Sequence, residues 1–266
     1  FNTNEMLWLF YKVGSGDHVW ETRFVTSTDG GITWSEPREL VAGDNMPRGP
    51  VKNKMLVTSD GTWLAPGSIE DECHWDAFID RSTDKGQSWQ IIPVPLQHKS
   101  HSPAQDSHLW QGLMDEALWE NDLSRVMRWD GVIQPSLWES APGQLHMLMR
   151  STRGFIYRSD SADNGETWCA AYATSLPNNN SGIDLVSTEQ GKLILASNPS
   201  AGNWGQRFPL SLTLSEDNGH NWSTLLDLES EEGEFSYPAI ISEGDRLHVT
   251  WTWNRKNIVY CEFQIS

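Results

Sequence analysis

Several short groups of side chains in this 266-residue sequence have the types and spacing to do chemistry. Lys52 and Lys54, in Gly-Pro-Val-Lys-Asn-Lys, are cations beside an apolar run, where an ammonium either holds an anion or faces solvent at a strand edge. Glu70, Asp71 and Glu72 stand just before His74 and Trp75. A carboxylate in that run can give or take a proton, and a solvated acidic loop is the plainer reading. Asn178, Asn179 and Asn180 precede Ser181-Gly182, where amides suit sugar hydroxyls and tight turns equally. Trp204, Trp253, Asn254 and Arg255 fall at strand or loop ends, an indole to stack on a sugar face and a guanidinium to meet an acid group. Trp138 and Trp251 lie inside apolar runs and read as core. His98, His101, Asp106 and His108 cluster without regular ligand spacing, so a solvated loop is favoured over a metal site and no metal is implied.

The elements that must position these groups are announced by a repeat. Ser27–Trp34, Ser82–Trp89, Ser161–Trp168 and Ser215–Trp222 align without gaps as S-x-D-x-G-x-[TSN]-W. Asp29, Asp84, Asp163 and Asp217 look like catalytic carboxylates, but four copies cannot all aim at one substrate. A turn role is expected instead, the aspartate accepting backbone N–H groups, the glycine taking positive φ and the tryptophan folding over the turn. The aspartates are 55, 79 and 54 residues apart. The short intervals fit one four-stranded blade of a β-propeller, and the long one fits a blade with an insertion.

Walking the strands between Gly, Pro and Asn breaks gives 18 in an all-β chain, in groups of three, four, four, four and three. A six-bladed propeller of four-stranded antiparallel blades needs six more. These would be one whole blade and a strand on each side, N-terminal to Phe1, so residues 1–266 read as one partial propeller domain. Residues 95–131 form the insertion. Asp106 or Ser107 can cap a helix there with Leu109, Trp110, Leu113, Met114, Ala117 and Leu118 on one face, either a lid or a packed excursion.

Composition narrows the function. The 19 basic and 36 acidic residues give a formal charge of −17, which disfavours nucleic acid and anionic lipid as partners. No apolar run is long enough to span a bilayer. The three cysteines are odd in number and lack CxxC spacing, so neither a disulfide framework nor a zinc ribbon is signalled, and no cofactor is implied. The 15 tryptophans exceed what a core of this size needs and suit sugar rings. Localisation and oligomeric state are left open.

The repeated turn is the Asp box, and with this blade spacing the chain resembles the sialidase (neuraminidase) superfamily, in particular bacterial sialidase-like proteins with BNR repeats. The stretch from Gln134 to Arg150 is similar to the sialidase segment running from an active-site Glu through a hairpin to an arginine. The resemblance puts Arg150 and Arg207 on the second and third arginines of the family's carboxylate-binding triad. The R-I-P arginine and the loop carrying the acid/base Asp have no counterpart here. Family chemistry uses a Tyr nucleophile activated by a Glu. Gln134 stands where that Glu is expected, and an amide is no base. Counting back from Gly244 puts Phe235 on the nucleophile position, with Tyr237 two residues on, on the same strand face.

The resemblance implies an exo-glycosidase that removes a terminal acidic sugar from a glycan. Arg150 and Arg207 would hold the carboxylate, aided by Lys52, Lys54, Asn180, Trp204 and Arg255. Tyr237 would act as nucleophile or transition-state stabiliser beside Gln134, with Glu70 or Glu72 as a fallback acid/base. Gln134, Phe235 and the absent blade favour instead a non-catalytic carbohydrate-binding propeller. A polysaccharide lyase or uronate-cap-removing enzyme on the same scaffold is a third possibility. In every case a positive well is expected inside a negative exterior.

Overall fold

The computed structural model describes residues 2–3, 6–15, 20–99 and 128–265. The expected helix from Asp106 to Leu118, with His101 and His108, lies outside them. Among the described residues every regular element is a strand. The nineteen strands fall into five antiparallel meanders. The first holds β1 (Asn2–Thr3), β2 (Met6–Val13), β3 (Glu21–Ser27) and β4 (Arg38–Glu39), and the second β5 (Leu56–Val57), β6 (Trp63–Glu70), β7 (His74–Ser82) and β8 (Gln90–Pro93). The third holds β9 (Asp130–Ala141), β10 (Gln144–Ser151), β11 (Phe155–Ser161) and β12 (Tyr172–Pro177). The fourth holds β13 (Asp184–Ser187), β14 (Leu193–Ser197), β15 (Leu210–Ser215) and β16 (Ser223–Glu229); the last holds β17 (Phe235–Glu243), β18 (Arg246–Trp253) and β19 (Asn257–Gln264).

Two departures from the strand reading have local causes. The first meander has four strands, because Asn2–Thr3 pairs with β2. The apolar run around Lys52 and Lys54 forms a strand only at Leu56–Val57, because Lys52 takes a φ of 62° and the side chains of Lys52, Asn53 and Lys54 bond to other meanders. The second and third meanders are joined by a short parallel bridge, His74 to Asp130 and Trp75 to Gly131. The sheets do not close on themselves, and the six-blade count finds no support in them.

Alternation on the strands builds one core between each neighbouring pair of meanders. On β10, Met147 and Met149 pack toward the second meander while Leu148 packs toward the fourth. Both faces are buried, so such a strand reads as a continuous apolar run. Trp63 and Met55 meet Trp8 and Phe10 between the first two meanders, and Phe235, Ile240 and Trp251 pack with Leu210 and Leu212 between the last two. Trp138 and Trp251 are both buried in these cores.

The box turns carry the outer corners. Asp163 Oδ1 accepts from Ser161 Oγ at 2.7 Å and from Thr167 N at 2.9 Å, and Ser161 Oγ accepts from Gly165 N at 2.9 Å. The same set recurs at Asp29, Asp84 and Asp217. Hydrogen bonds from Thr33, Ser88 and Asn221 hold these three carboxyls down at about 2. Gly165 has φ +77° and the residue before it, Asn164, is left-handed too. The tryptophans fold over their turns: Trp34 Nε1 donates to Gly31 O at 3.0 Å and Trp222 Nε1 to Gly219 O at 3.1 Å, although Trp168 is buried and Trp34 keeps one face exposed.

A half-buried ion pair ties the inner strands together. Asp184 of β13 receives Lys54 Nζ at 2.8 and 2.7 Å, Ser136 Oγ of β9 at 2.9 Å and Ile240 N of β17 at 2.9 Å. Burial pushes its carboxyl up, but the Lys54 and Lys52 charges pull it below its ordinary value. Asp130 behaves alike: burial raises it, and the Arg153 guanidinium with the Lys99 N–H brings it to about 2. Lys54 is 36% exposed, so Asp184→Ala mainly strips the buried Ile240 N–H and Ser136 hydroxyl of their acceptor and should lower stability by about 2–4 kcal/mol in urea unfolding. An unchanged midpoint would contradict the hub. Folded-state carboxyl values below the unfolded ones mean stability is complete above about pH 4 and declines from there toward pH 2, as acid unfolding followed by circular dichroism should show.

Candidate active-site cleft

A cleft of about 710 Å³ opens where β6 ends and β7, β9 and β17 begin. Trp20, Trp75, Trp129, Trp204 and Tyr237 wall it, Gln134 and Arg150 lie at its buried floor, and Glu70, Asp71, Glu72 and Arg128 are at its rim. Trp75 stacks on Trp129 at 5.8 Å between centroids and meets Trp204 edge-on at 6.3 Å. Of the sequence-selected residues, Tyr237, Gln134, Arg150, Trp204, Glu70 and Glu72 come together on this cleft.

Three cleft residues, Gln134, Trp204 and Tyr237, have left-handed backbone. Outside the box turns, the left-handed non-glycine residues among those described are Lys52, Gln134, Asn180, Trp204, Tyr237, Asn254 and Arg255. Each such conformation costs on the order of 1–3 kcal/mol and persists only where the surroundings impose it. Tyr237 shows the effect most clearly. With simple alternation Phe235 and Tyr237 would share a face, but φ is 51° at Tyr237 and the β17–β18 register shifts between Ser236 and Ala239. Phe235 therefore enters the core at 2% exposure, against Trp253, while Tyr237 turns into the cleft at 43%. Gly182 packs closely beneath it, and a Cβ there would stand 3.1 Å from Tyr237 Cδ1 and 3.2 Å from Lys52 Cε, so a larger residue would press on both side chains.

Two guanidiniums converge on the phenol. Arg150 Nε donates to Asn180 Oδ1 at 2.8 Å, its Nη1 reaches Gln134 Oε1 at 3.5 Å, and its charge lies 5.2 Å from the Trp75 ring and 5.9 Å from the Trp204 ring. Arg207 stands over the Tyr237 ring at 5.5 Å and donates to Glu234 Oε1 at 3.0 Å. Burial, with Arg150 and Arg255 nearby, lowers the Arg207 pKa despite Tyr237 and Glu234. Burial alone would raise the Tyr237 hydroxyl, but the charges of Arg150 and Arg207 and their hydrogen bonds to it outweigh that and bring it below 10.0.

Other expected ligands of the substrate have different partners. Asn180 is fully buried, orienting Arg150 and donating to Asn203 Oδ1 at 2.7 Å; Asn178 and Asn179 are likewise bonded within their own turn. Lys54 is held by Asp184, outside the cleft. Lys52 leaves its stem exposed but tucks its ammonium against Ile183 O and Pro238 O, where burial pulls it down to about 7. Arg255 forks onto Glu234 at 2.8 and 2.7 Å, and Asn254 Oδ1 accepts from Glu234 N. His98 sits between Asp76 and Asp130, with the His74 ring tilted against it at 4.2 Å between centroids. Among the described residues no cluster of His, Cys, Asp or Glu is placed to hold a metal ion.

The sequence reading missed Glu234, which gathers Arg207 and Arg255, and the walls Trp20 and Trp129. Glu234 belongs to an acidic run with no distinguishing spacing; for the tryptophans the only signal is their excess. Spectrophotometric titration checks the electrostatics. Tyr237 should ionise ahead of Tyr260, which is pushed up, and well ahead of Tyr172, which burial and its bond to Asp160 push up to about 12. Arg207→Ala should return the early phase toward 10, and an unmoved phase would refute the assignment.

A family model described as the BNR repeat-like domain matches residues 1–249. No curated protein matches the chain. Among solved structures, the NanB sialidase of Streptococcus pneumoniae is similar with a TM-score of 0.68 at 16% identity, over 92% of this chain and 36% of that one. Trypanosoma rangeli sialidase in complex with sialic acid gives 0.63 at 17%, over 98% and 42%. The intramolecular trans-sialidase of Ruminococcus gnavus gives 0.59 at 14%, over 93% and 51%. This chain thus spans between about a third and a half of those proteins, and at such identities the likeness is one of fold. The four box turns, the sequential β-meanders and the family match together make the chain a member of the BNR repeat-like domain family, built on the propeller fold of sialidases.

Proposed function

We propose that the cleft binds the terminal acidic sugar of a glycan and hydrolyses its glycosidic bond. The observation that supports this reading best is the pair Arg150 and Arg207 meeting at one phenol inside a cleft walled by indoles. Guanidinium forks match a planar carboxylate, and indole faces suit the apolar faces of a sugar ring. Tyr237 is then the nucleophile or the stabiliser of the cationic transition state. A phenol suits an anionic substrate because it carries no charge until its proton leaves. Glu70 or Glu72 at the rim would protonate the departing oxygen.

Glycan binding without turnover is a second reading, supported by one residue. Gln134 presents its amide oxygen to Arg150 and cannot take the phenolic proton. The Tyr237 proton would then have to pass to solvent, made easier by the two arginines.

Fluorophore release from an aryl sialoside separates the readings. Hydrolysis predicts turnover by the full chain, with kcat/KM falling about 30- to 1000-fold, or about 2–4 kcal/mol, in Arg150→Ala and Arg207→Ala. Tyr237→Phe should reduce kcat more than KM. Absent turnover with saturable binding of sialylated glycans moves the assignment to a lectin-like role. Absence of both, in a folded protein, overturns the acidic-sugar reading.

A further inference from the structure

We infer that Ser140, His146 and Asp160 form a second reactive centre, in which Ser140 Oγ is a nucleophile toward acyl and phosphonyl groups of small esters. Ser140 lies near the end of β9, six residues beyond Gln134 and so roughly 20 Å along the strand from the cleft. Its Oγ is 2.7 Å from His146 Nε2, and His146 Nδ1 is 2.5 Å from Asp160 Oδ1. This is nucleophile, base and orienting carboxylate in hydrogen-bond sequence, the geometry by which an activated serine is recognised irrespective of fold. Ser140 is exposed and His146 buried, so the nucleophile meets solvent and the base is fixed.

Hydrogen-bond bookkeeping sets the tautomer. The Trp138 indole can only donate, and it gives its N–H to Asn218 Oδ1 at 2.7 Å. The Asn218 amide is thereby oriented with Nδ2 toward His146 Nε2, at 3.2 Å. Nδ1 has both Asp160 Oδ1, at 2.5 Å, and the Arg158 Nη2 donor, at 3.0 Å, against it; the shorter contact with the carboxylate requires the ring proton on Nδ1, which leaves the Nε2 lone pair facing Asn218. Ser140 must then donate to Nε2, as general-base activation requires. Asp160 also receives Arg158 Nε at 2.9 Å and Tyr172 Oη at 2.6 Å, which keep it ionised as an acceptor. The ring itself lies stacked on Trp138, centroids 5.0 Å apart.

With an ester, Ser140 Oγ bonds to the carbonyl carbon as its proton passes to Nε2. The tetrahedral adduct breaks its bond to the alcohol oxygen, Nε2 returns the proton to the departing alcohol, and water repeats the sequence to free the acid. With a fluorophosphonate the Oγ–P bond forms, P–F breaks and fluoride leaves.

The test is peptide mapping of the full chain after fluorophosphonate treatment. The adduct is expected on Ser140, about 100-fold faster than on the exposed Ser230, and Asp160→Asn should remove most of that advantage. Asp160 also anchors Arg158, so Ser140→Cys supplies an independent readout on an exposed position. The thiol of that variant should be alkylated below the pH at which an ordinary cysteine reacts. Labelling of Ser140 no faster than Ser230, or ordinary pH dependence of alkylation in the Ser140→Cys variant, would reduce the cluster to a structural lock and overturn the inference.

Discussion

The Lys54–Asp184 pair is the contact on which the rest of the structure depends. Taking a carboxylate out of water costs several kcal/mol, and the loss is offset only if its lone pairs are filled. Here the donors come from the second, third and fifth meanders, through Lys54, Ser136 and the Ile240 amide. Asp184 cannot be satisfied unless those meanders are in place around it. The cleft floor follows from this, since Gln134 is two residues before Ser136 and Tyr237 is three before Ile240. Asn53 adds a second tie, donating to Gln134 O at 2.7 Å and Pro135 O at 3.1 Å. The strained φ values at Gln134 and Tyr237 persist because both flanking strands are held on the hub.

At the outer corners the box turns do more than reverse the chain. Asn164 O in the third turn accepts from Arg81 Nε of the preceding meander at 3.0 Å, and Asn218 O in the fourth accepts from Arg158 Nη1 at 2.8 Å. The residue before the box glycine is left-handed, which turns its carbonyl outward toward the neighbouring sheet. Asparagine tolerates that conformation better than most residues, which accounts for its presence at both positions. The third and fourth turns thus close their own hairpins and also fasten them to the preceding meander.

Legibility follows from the range of the forces involved. The strands are readable because alternation and box turns are local, so Phe155–Ser161 and Leu210–Ser215 each run up to the serine that opens a box turn. The cleft is partly readable, since Arg150 and Arg207 sit near recognisable segments. Lys52 and Lys54 stand out as cations, but nothing local says that a buried aspartate 130 residues from Lys54 claims its ammonium. Counting from Gly244 lands on Phe235 instead of Tyr237 for a related reason. Strand alternation puts both on one face, and only a bulge, visible as a positive φ and a register shift, separates them. Glu234 cannot be told from the glutamates around it, because its role comes from two arginines delivered by other segments.

The two arginines face a conflict of roles. They lower the Tyr237 pKa by offering charge and N–H donors to the phenol, and a substrate carboxylate would compete for the same donors. A carboxylate that took them all would neutralise the local charge, returning the phenol toward its ordinary value as the nucleophile is needed. The guanidinium has more donors than the phenol requires. Arg150 uses Nε on Asn180 and directs Nη1 weakly, at 3.5 Å, toward Gln134, while Arg207 has Nη1 on Glu234. A glutamate at position 134 would take Arg150 more strongly and add a negative charge beside the incoming carboxylate. Glutamine leaves the guanidinium less engaged and the floor more positive. On the proposed reading, position 134 would exchange base strength for anion affinity.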